Sequence, residues 1–168
     1  MRVAVTGTPG TGKTTAVGRV EADLEVVGLN DLIREGGLHS GTDEDRESLL
    51  ADLDALRERL RGREDLLVES HLAHHLEADR VAVLRCHPDR LRGRLLGRGE
   101  PEPKAAENAE AEALDVVLSE AVEAHGLDSV YEIDTTDRTP DEVAADLEAV
   151  LAGDRDPTAG TVDFTGYL

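Results

Sequence analysis

Nine consecutive residues, Gly7-Thr8-Pro9-Gly10-Thr11-Gly12-Lys13-Thr14-Thr15, have the makings of a cradle for polyphosphate. They fit the phosphate-loop pattern G-x-x-x-x-G-K-S/T at every fixed position. Glycines at 7, 10 and 12 let the backbone turn tightly and bare its N–H groups. Those amides, with the positive end of the helix expected next, attract phosphate oxygens. Lys13 can set an ammonium against the β and γ phosphates. The Thr14 hydroxyl is a hard oxygen suited to Mg²⁺, and Thr15 can donate to an α-phosphate oxygen. The plainer reading is a glycine-rich turn that only joins a strand to a helix. The complete pattern in a strand-loop-helix setting argues against it.

A second group lies farther along. The apolar run Leu66-Leu67-Val68 ends at Glu69, where phosphate-loop enzymes hold Mg²⁺ with a carboxylate, usually through a water. His71 follows two residues on. It could orient or deprotonate an attacking water, position phosphate, or make a structural hydrogen bond at a helix start. His71, His74 and His75 together suggest a metal cluster, but no second ligand pair stands at zinc spacing. Cys86-His87 reads as local structure. Arg90, Arg92, Arg94 and Arg98 crowd one helix and its end. Phosphoryl transfer needs cations against the charge that spreads onto the transferred group, and a guanidinium meets phosphate bidentately. Arg94 and Arg98 are four apart and share a face. The competing use of such arginines in an acidic protein is surface ion pairing.

The elements that must position these groups alternate strand and helix, the signature of a parallel sheet covered on both faces. Strands are expected at 2–6, 25–29, 65–69, 80–85 and 130–134. Helices are expected after Lys13, with Ala16, Val17 and Val20 as its apolar face, and over about 30–35, capped by Asn30-Asp31 and stopped by Gly36-Gly37. Residues 38–46 read as a polar loop. A helix near 46–61 carries Leu49, Leu50, Leu53, Leu56 and Leu60 at helical spacing. The block 30–61 interrupts the rhythm and looks like an insertion over the nucleotide site. Pro88 permits a helix over about 88–97, broken at 97–103 by a mobile loop containing Pro101 and Pro103. A long helix is expected over 104–125, with Leu114, Val117, Leu118, Ala121 and Val122 buried. The last helix starts with Thr139, Pro140 and Glu142 in a capping box and ends at Gly153. Residues 154–168 read as a tail that Phe164 and Tyr167 can dock.

The 168 residues suffice for one α/β domain with a core. Aromatics are 2% of the chain, so Leu, Val and Ala must build that core. No apolar run reaches membrane-spanning length, the first residues read as a strand and not a signal, and the single Cys86 suits a reducing cytoplasm. Asp and Glu number 37 against 18 Lys and Arg, for a net charge of −19. The only lysines are Lys13 and Lys104. This pattern resembles cytoplasmic proteins of salt-in halophiles, in which concentrated salt screens self-repulsion. It opposes direct, non-specific nucleic-acid binding. The fold is therefore expected to weaken in low salt. Its melting temperature should rise between dilute buffer and molar KCl, and an unchanged value contradicts the reading.

Taken together, the loop at 7–15, Val-Glu-Ser-His at 68–71, Arg-Leu-Leu-Gly-Arg-Gly at 94–99, Lys104 and Glu-Asn-Ala-Glu-Ala-Glu at 107–112 resemble the adenylate kinase isoenzyme 6 family in its archaeal form. The resemblance covers residues 1–152, and the ordered set is more specific than the loop alone. It implies a P-loop NTPase fold, a five-stranded parallel sheet flanked by helices, with NMP-binding and lid insertions at about 29–52 and 97–107. It implies an NMP kinase domain over 1–153 that makes two ADP from ATP and AMP, or accepts another NMP, with Mg²⁺ and side ATPase activity. It also implies work in small ribosomal subunit maturation with ribosomal protein S11. By motif position Gly10, Gly12, Lys13, Thr14 and Thr15 hold ATP and Arg34 is a candidate for the AMP phosphate. Arg98 touches ATP, and His71 is the catalytic histidine tied to hydrolysis. The chain departs from the family at Glu69, usually Asp, and at Glu100, often an aromatic. Two other readings stay open: an ATP-hydrolysing assembly factor, and a small-metabolite kinase of the shikimate-kinase type.

Overall fold

Uninterrupted apolar runs become strands here because the sheet is covered on both faces. The computed structural model describes residues 1–36 and 46–168. Strands β1 (Arg2–Thr6), β2 (Glu25–Gly28), β3 (Leu66–Glu69), β4 (Arg80–Arg85) and β5 (Val130–Asp134) form one parallel sheet in the order β2-β3-β1-β4-β5. β1 is central. The chain builds to one side of it, then crosses to the other. In such sheets ligands bind beyond the carboxyl ends of the strands where the building direction reverses. The glycine-rich stretch leaves β1 at that place.

Side chains alternate between two layers. Leu66, Val68, Val81 and Val83 face α2 (Leu29–Glu35), α3 (Arg46–Leu60) and α6 (Val116–His125). Leu67, Ala82 and Leu84 face α1 (Lys13–Val17) and α7 (Pro140–Ala152). A smaller cluster joins Leu91 and Leu95 of α4 (Pro88–Gly97) to Ala105 and Ala109 of α5 (Glu102–Ala113), the small alanines allowing close approach. Each fully buried leucine contributes about 2 kcal/mol. α7 starts on the expected capping box: Thr139 Oγ1 accepts from the Glu142 amide and the Glu142 carboxylate accepts from the Thr139 amide.

Several boundaries differ from the sequence reading. Gly28 in extended conformation precedes α2, and Asn30 and Asp31 lie inside its first turn. The break between α4 and α5 is short, Arg98 to Pro101, because Pro101 and Pro103 fit a helix start. The expected helix over 104–125 is two helices. Asp115 adopts φ 56°, in the left-handed region, and its carboxylate accepts from buried Arg85 Nη2 at 2.5 Å. A long-range ion pair thus overrides local helical periodicity. Leu114, expected in the buried stripe, is 53% exposed as a result. The expected polar loop at 38–46 lies, except for Arg46, outside the described residues, as do the side chains of Leu49 and Leu50.

Residues 154–168 pack onto the sheet. Thr158 bridges Tyr131 of β5, and Glu132 Oε1 accepts from the amides of Thr161 and Val162. Phe164 is buried, with Arg85 Cζ 5.4 Å from its ring centre. Tyr167 covers the α4–α5 cluster. Among the described residues, no helix is long and apolar enough to cross a membrane.

Candidate active site

The loop between β1 and α1 is shaped by what its glycines avoid. A Cβ on Gly7 would stand 2.5 Å from the Leu84 carbonyl oxygen, so no other residue fits. Gly12 holds φ 94° at the start of α1, a conformation that side chains oppose. The loop then folds back over Lys13. Its Nζ donates to the carbonyls of Gly7 at 2.8 Å and Thr8 at 3.1 Å, and to Thr11 Oγ1 at 3.4 Å. All three acceptors are neutral. Burial lowers the ammonium pKa to about 8, against the pull of Glu69 and Glu112. A buried cation whose contacts are all neutral gains most from an arriving anion.

Thr14 Oγ1 donates to Glu69 Oε1 at 3.2 Å. β-sheet register sets this contact, because Glu69 ends β3 between Val5 of β1 and Gly28 of β2. The two facing oxygens fit a hard divalent cation such as Mg²⁺. His71 stands half-buried in the same cavity of about 150 Å³, which Lys13, Asn30 and Arg98 also line. Burial, then Lys13, lowers the His71 pKa to about 4, so its ring is neutral near pH 7. A neutral ring can accept a proton, and a bound anion would offset the Lys13 share of the shift.

A second cavity of about 430 Å³ shares Gly10, Gly12, Thr15 and Arg98 with the first. Its far wall is Thr135 and Arg138 from the β5–α7 connection and Pro140 and Val143 from the start of α7. Arg94 is fixed between the two sides, donating to the carbonyls of Gly10 at 3.3 Å and Thr135 at 3.4 Å. Arg98, one helical turn later, is exposed and has no ion-pair or hydrogen-bond partner for its side chain among the described residues. Arg90 and Arg92 are instead committed to ion pairs with Asp137 and Glu102. Arg34 lies on the exposed face of α2, bound to Asp31 at 2.7 Å, and lines neither cavity, whereas Asn30 of the same helix does.

The sequence reading missed Thr135, Arg138 and a buried network behind the loop. Arg85 Nε donates to Glu112 Oε1 at 2.8 Å and its Nη1 to Glu132 Oε2 at 2.9 Å. Thr8 Oγ1 donates to Glu112 Oε2 at 2.5 Å, which ties the network to the phosphate loop. The signal was present. Glu112 sits on the stripe of Ala105 and Ala109, and Glu132 interrupts the apolar run of β5.

The strand order, and a glycine loop leaving the central strand, define a P-loop kinase fold. Two solved structures share it: shikimate kinase from Acinetobacter baumannii (TM-score 0.65, 15% identity, 92% of this chain and 94% of that one) and a sugar kinase from Janibacter sp. HTCC2649 (TM-score 0.62, 17% identity, 90% and 94%). A family model described as an AAA domain matches residues 3–115. Relatives named "Putative adenylate kinase" are 66% identical in Natronomonas pharaonis and 62% in Halobacterium salinarum, each over all of both chains. A third, in Methanothermobacter thermautotrophicus, is 49% identical over 99% of this chain and 98% of its own. The chain belongs to this archaeal branch of the adenylate kinase isoenzyme 6 family. In the first two relatives the likeness runs through 154–168, beyond the expected limit at 152.

Proposed function

We propose that the chain is a nucleoside monophosphate kinase that moves the γ-phosphoryl group of ATP to AMP. The observation that carries this reading is Lys13, buried under the glycine loop with only neutral partners and facing a cavity that also holds Thr14, Glu69 and Arg98. The names and 49–66% identity of the relatives above support the choice of reaction.

In this reading the larger cavity takes base and ribose against Val143 and Pro140, with Gly10, Gly12 and Thr15 lining the turn towards the phosphates. The smaller cavity takes the phosphates. Thr14 and Glu69 would hold Mg²⁺, which would supply positive charge against the polyphosphate. An oxygen of the acceptor phosphate attacks Pγ as the bond to the β–γ bridging oxygen breaks, and ADP leaves. Lys13, Arg94 and Arg98 meet the charge that spreads over the transferred group. The domain spans 1–153. The segment 29–52 serves the acceptor, for which Arg34 would exchange its pairing with Asp31 for the AMP phosphate, and 97–107 forms the lid that carries Arg98 over ATP. Closure keeps water from the phosphoryl group. Water that enters is turned over slowly with His71, the side ATPase activity. By family resemblance the protein also assists small ribosomal subunit maturation with ribosomal protein S11. A surface of charge −19 favours a basic protein partner over bare RNA.

The test is ADP formation from ATP with and without AMP in molar KCl. AMP should raise turnover at least about tenfold, with two ADP per ATP consumed, because the closed site excludes water. If AMP leaves the rate at basal hydrolysis, the protein is an ATPase. A small-metabolite kinase would ignore every monophosphate.

A further inference from the structure

On the side of β1 that faces α6, three histidines and a glutamate meet at a place the kinase reading does not use. The chain leaves β3 through a single tight turn at Ala73–His75, packed against α6. His74 Nε2 lies 2.8 Å from Glu120 Oε2, and His75 Nε2 lies 3.8 Å from the same oxygen. The two imidazoles are 4.1 Å apart at their centres. All three donor atoms lie within 4.8 Å of one another. His125 braces the turn by donating to the His74 carbonyl at 2.7 Å.

We propose that His74, His75 and Glu120 bind one Zn²⁺ ion, with a fourth position open to water. The reading does not depend on nucleotide binding. Zinc bonds of about 2.0–2.1 Å to nitrogen or oxygen put tetrahedral ligands about 3.3 Å apart. The observed 2.8 and 3.8 Å straddle that spacing. The Glu120 side chain is 45% exposed, which leaves it room to adjust its rotamer. Two imidazoles and one carboxylate suit zinc, whereas Mg²⁺ prefers oxygen alone.

The surroundings of His74 also fit. Its side chain is 1% exposed, and its Nδ1 lies 2.7 Å from Thr6 Oγ1. A metal-bound imidazole usually donates its other ring N–H to an oxygen. With zinc on Nε2, the ring proton sits on Nδ1 and Thr6 accepts it. Burial lowers the pKa of both His74 and His75, which favours the neutral form that ligates. Thr6 is the last residue of β1, immediately before Gly7. Zinc would therefore pin α6 to the root of the phosphate loop. The sequence hides the site because Glu120 lies 46 residues beyond His74.

The test titrates Zn²⁺ alone into the full chain in molar KCl, with excess Mg²⁺ present to occupy the acidic surface. Co²⁺ serves as a second probe, reporting tetrahedral geometry by its visible absorption. One ion per chain is expected. His75→Ala and Glu120→Gln, both at half-exposed or exposed positions, should weaken binding at least about tenfold, while Glu69→Gln should not. Zinc should raise the melting temperature of the parent chain and not of those two variants. Unchanged zinc affinity in both variants, or loss of binding in Glu69→Gln, overturns the assignment.

Discussion

Lys13→Met lowers phosphoryl transfer by about a hundredfold to a thousandfold while the fold keeps its melting temperature within a few degrees. Methionine preserves the stem and removes the charge. Loss of one positioned cation or donor at a transferring group costs about 3–4 kcal/mol of barrier. The fold should tolerate the change for a separate reason. The ammonium is buried, its pKa is lowered to about 8 by that burial, and its bonds go to neutral acceptors. Thr8 O keeps the Thr11 amide and hydroxyl as donors, so of the two carbonyls Lys13 serves, the Gly7 one takes the loss. Initial rates beside thermal melts check this. Activity within tenfold of the parent would remove Lys13 from the chemistry, and a collapse of the fold would make its role structural.

Arg85→Met should be the most damaging single change to stability. Arg85, Glu112 and Glu132 are each at most 2% exposed. Removing the arginine takes away the guanidinium that binds the buried carboxylates of Glu112 and Glu132 and the half-buried one of Asp115. Breaking a buried pair in this way costs about 3–5 kcal/mol, which for a domain this size lowers the melting temperature by roughly 10 °C or more. The same network seats residues 154–168, because Glu132 Oε1 holds the amides of Thr161 and Val162. Adding Glu112→Gln and Glu132→Gln removes the stranded charges and should restore part of the loss. Denaturant unfolding in molar KCl measures both steps. A loss under about 1 kcal/mol for Arg85→Met would mean that water reaches this network.

The chain discloses its phosphate loop because fixed residue types at fixed spacing report a local backbone shape. It discloses its strands for a similar reason: Val81-Ala82-Val83-Leu84 can only be buried on both faces. Contacts between distant residues are hidden. Asp115 breaks a periodic helix because Arg85, thirty residues earlier, needs its carboxylate. Glu112 shares the stripe of Ala105 and Ala109, but its partners Thr8 and Arg85 in the interior are remote in the chain. Arg138 looks like one surface arginine among many, but ion pairing to Asp146 fixes it in the wall of the larger cavity. Arg34 shows the opposite limit. Its place on α2 is readable, but its side chain pairs with Asp31 and lines neither cavity.

Calorimetric titration of Mg²⁺–ATP into the protein in molar KCl addresses the loop most directly. The account predicts one site per chain, lost or severely weakened in Lys13→Met. Equal binding by both proteins, or none by either, would contradict it.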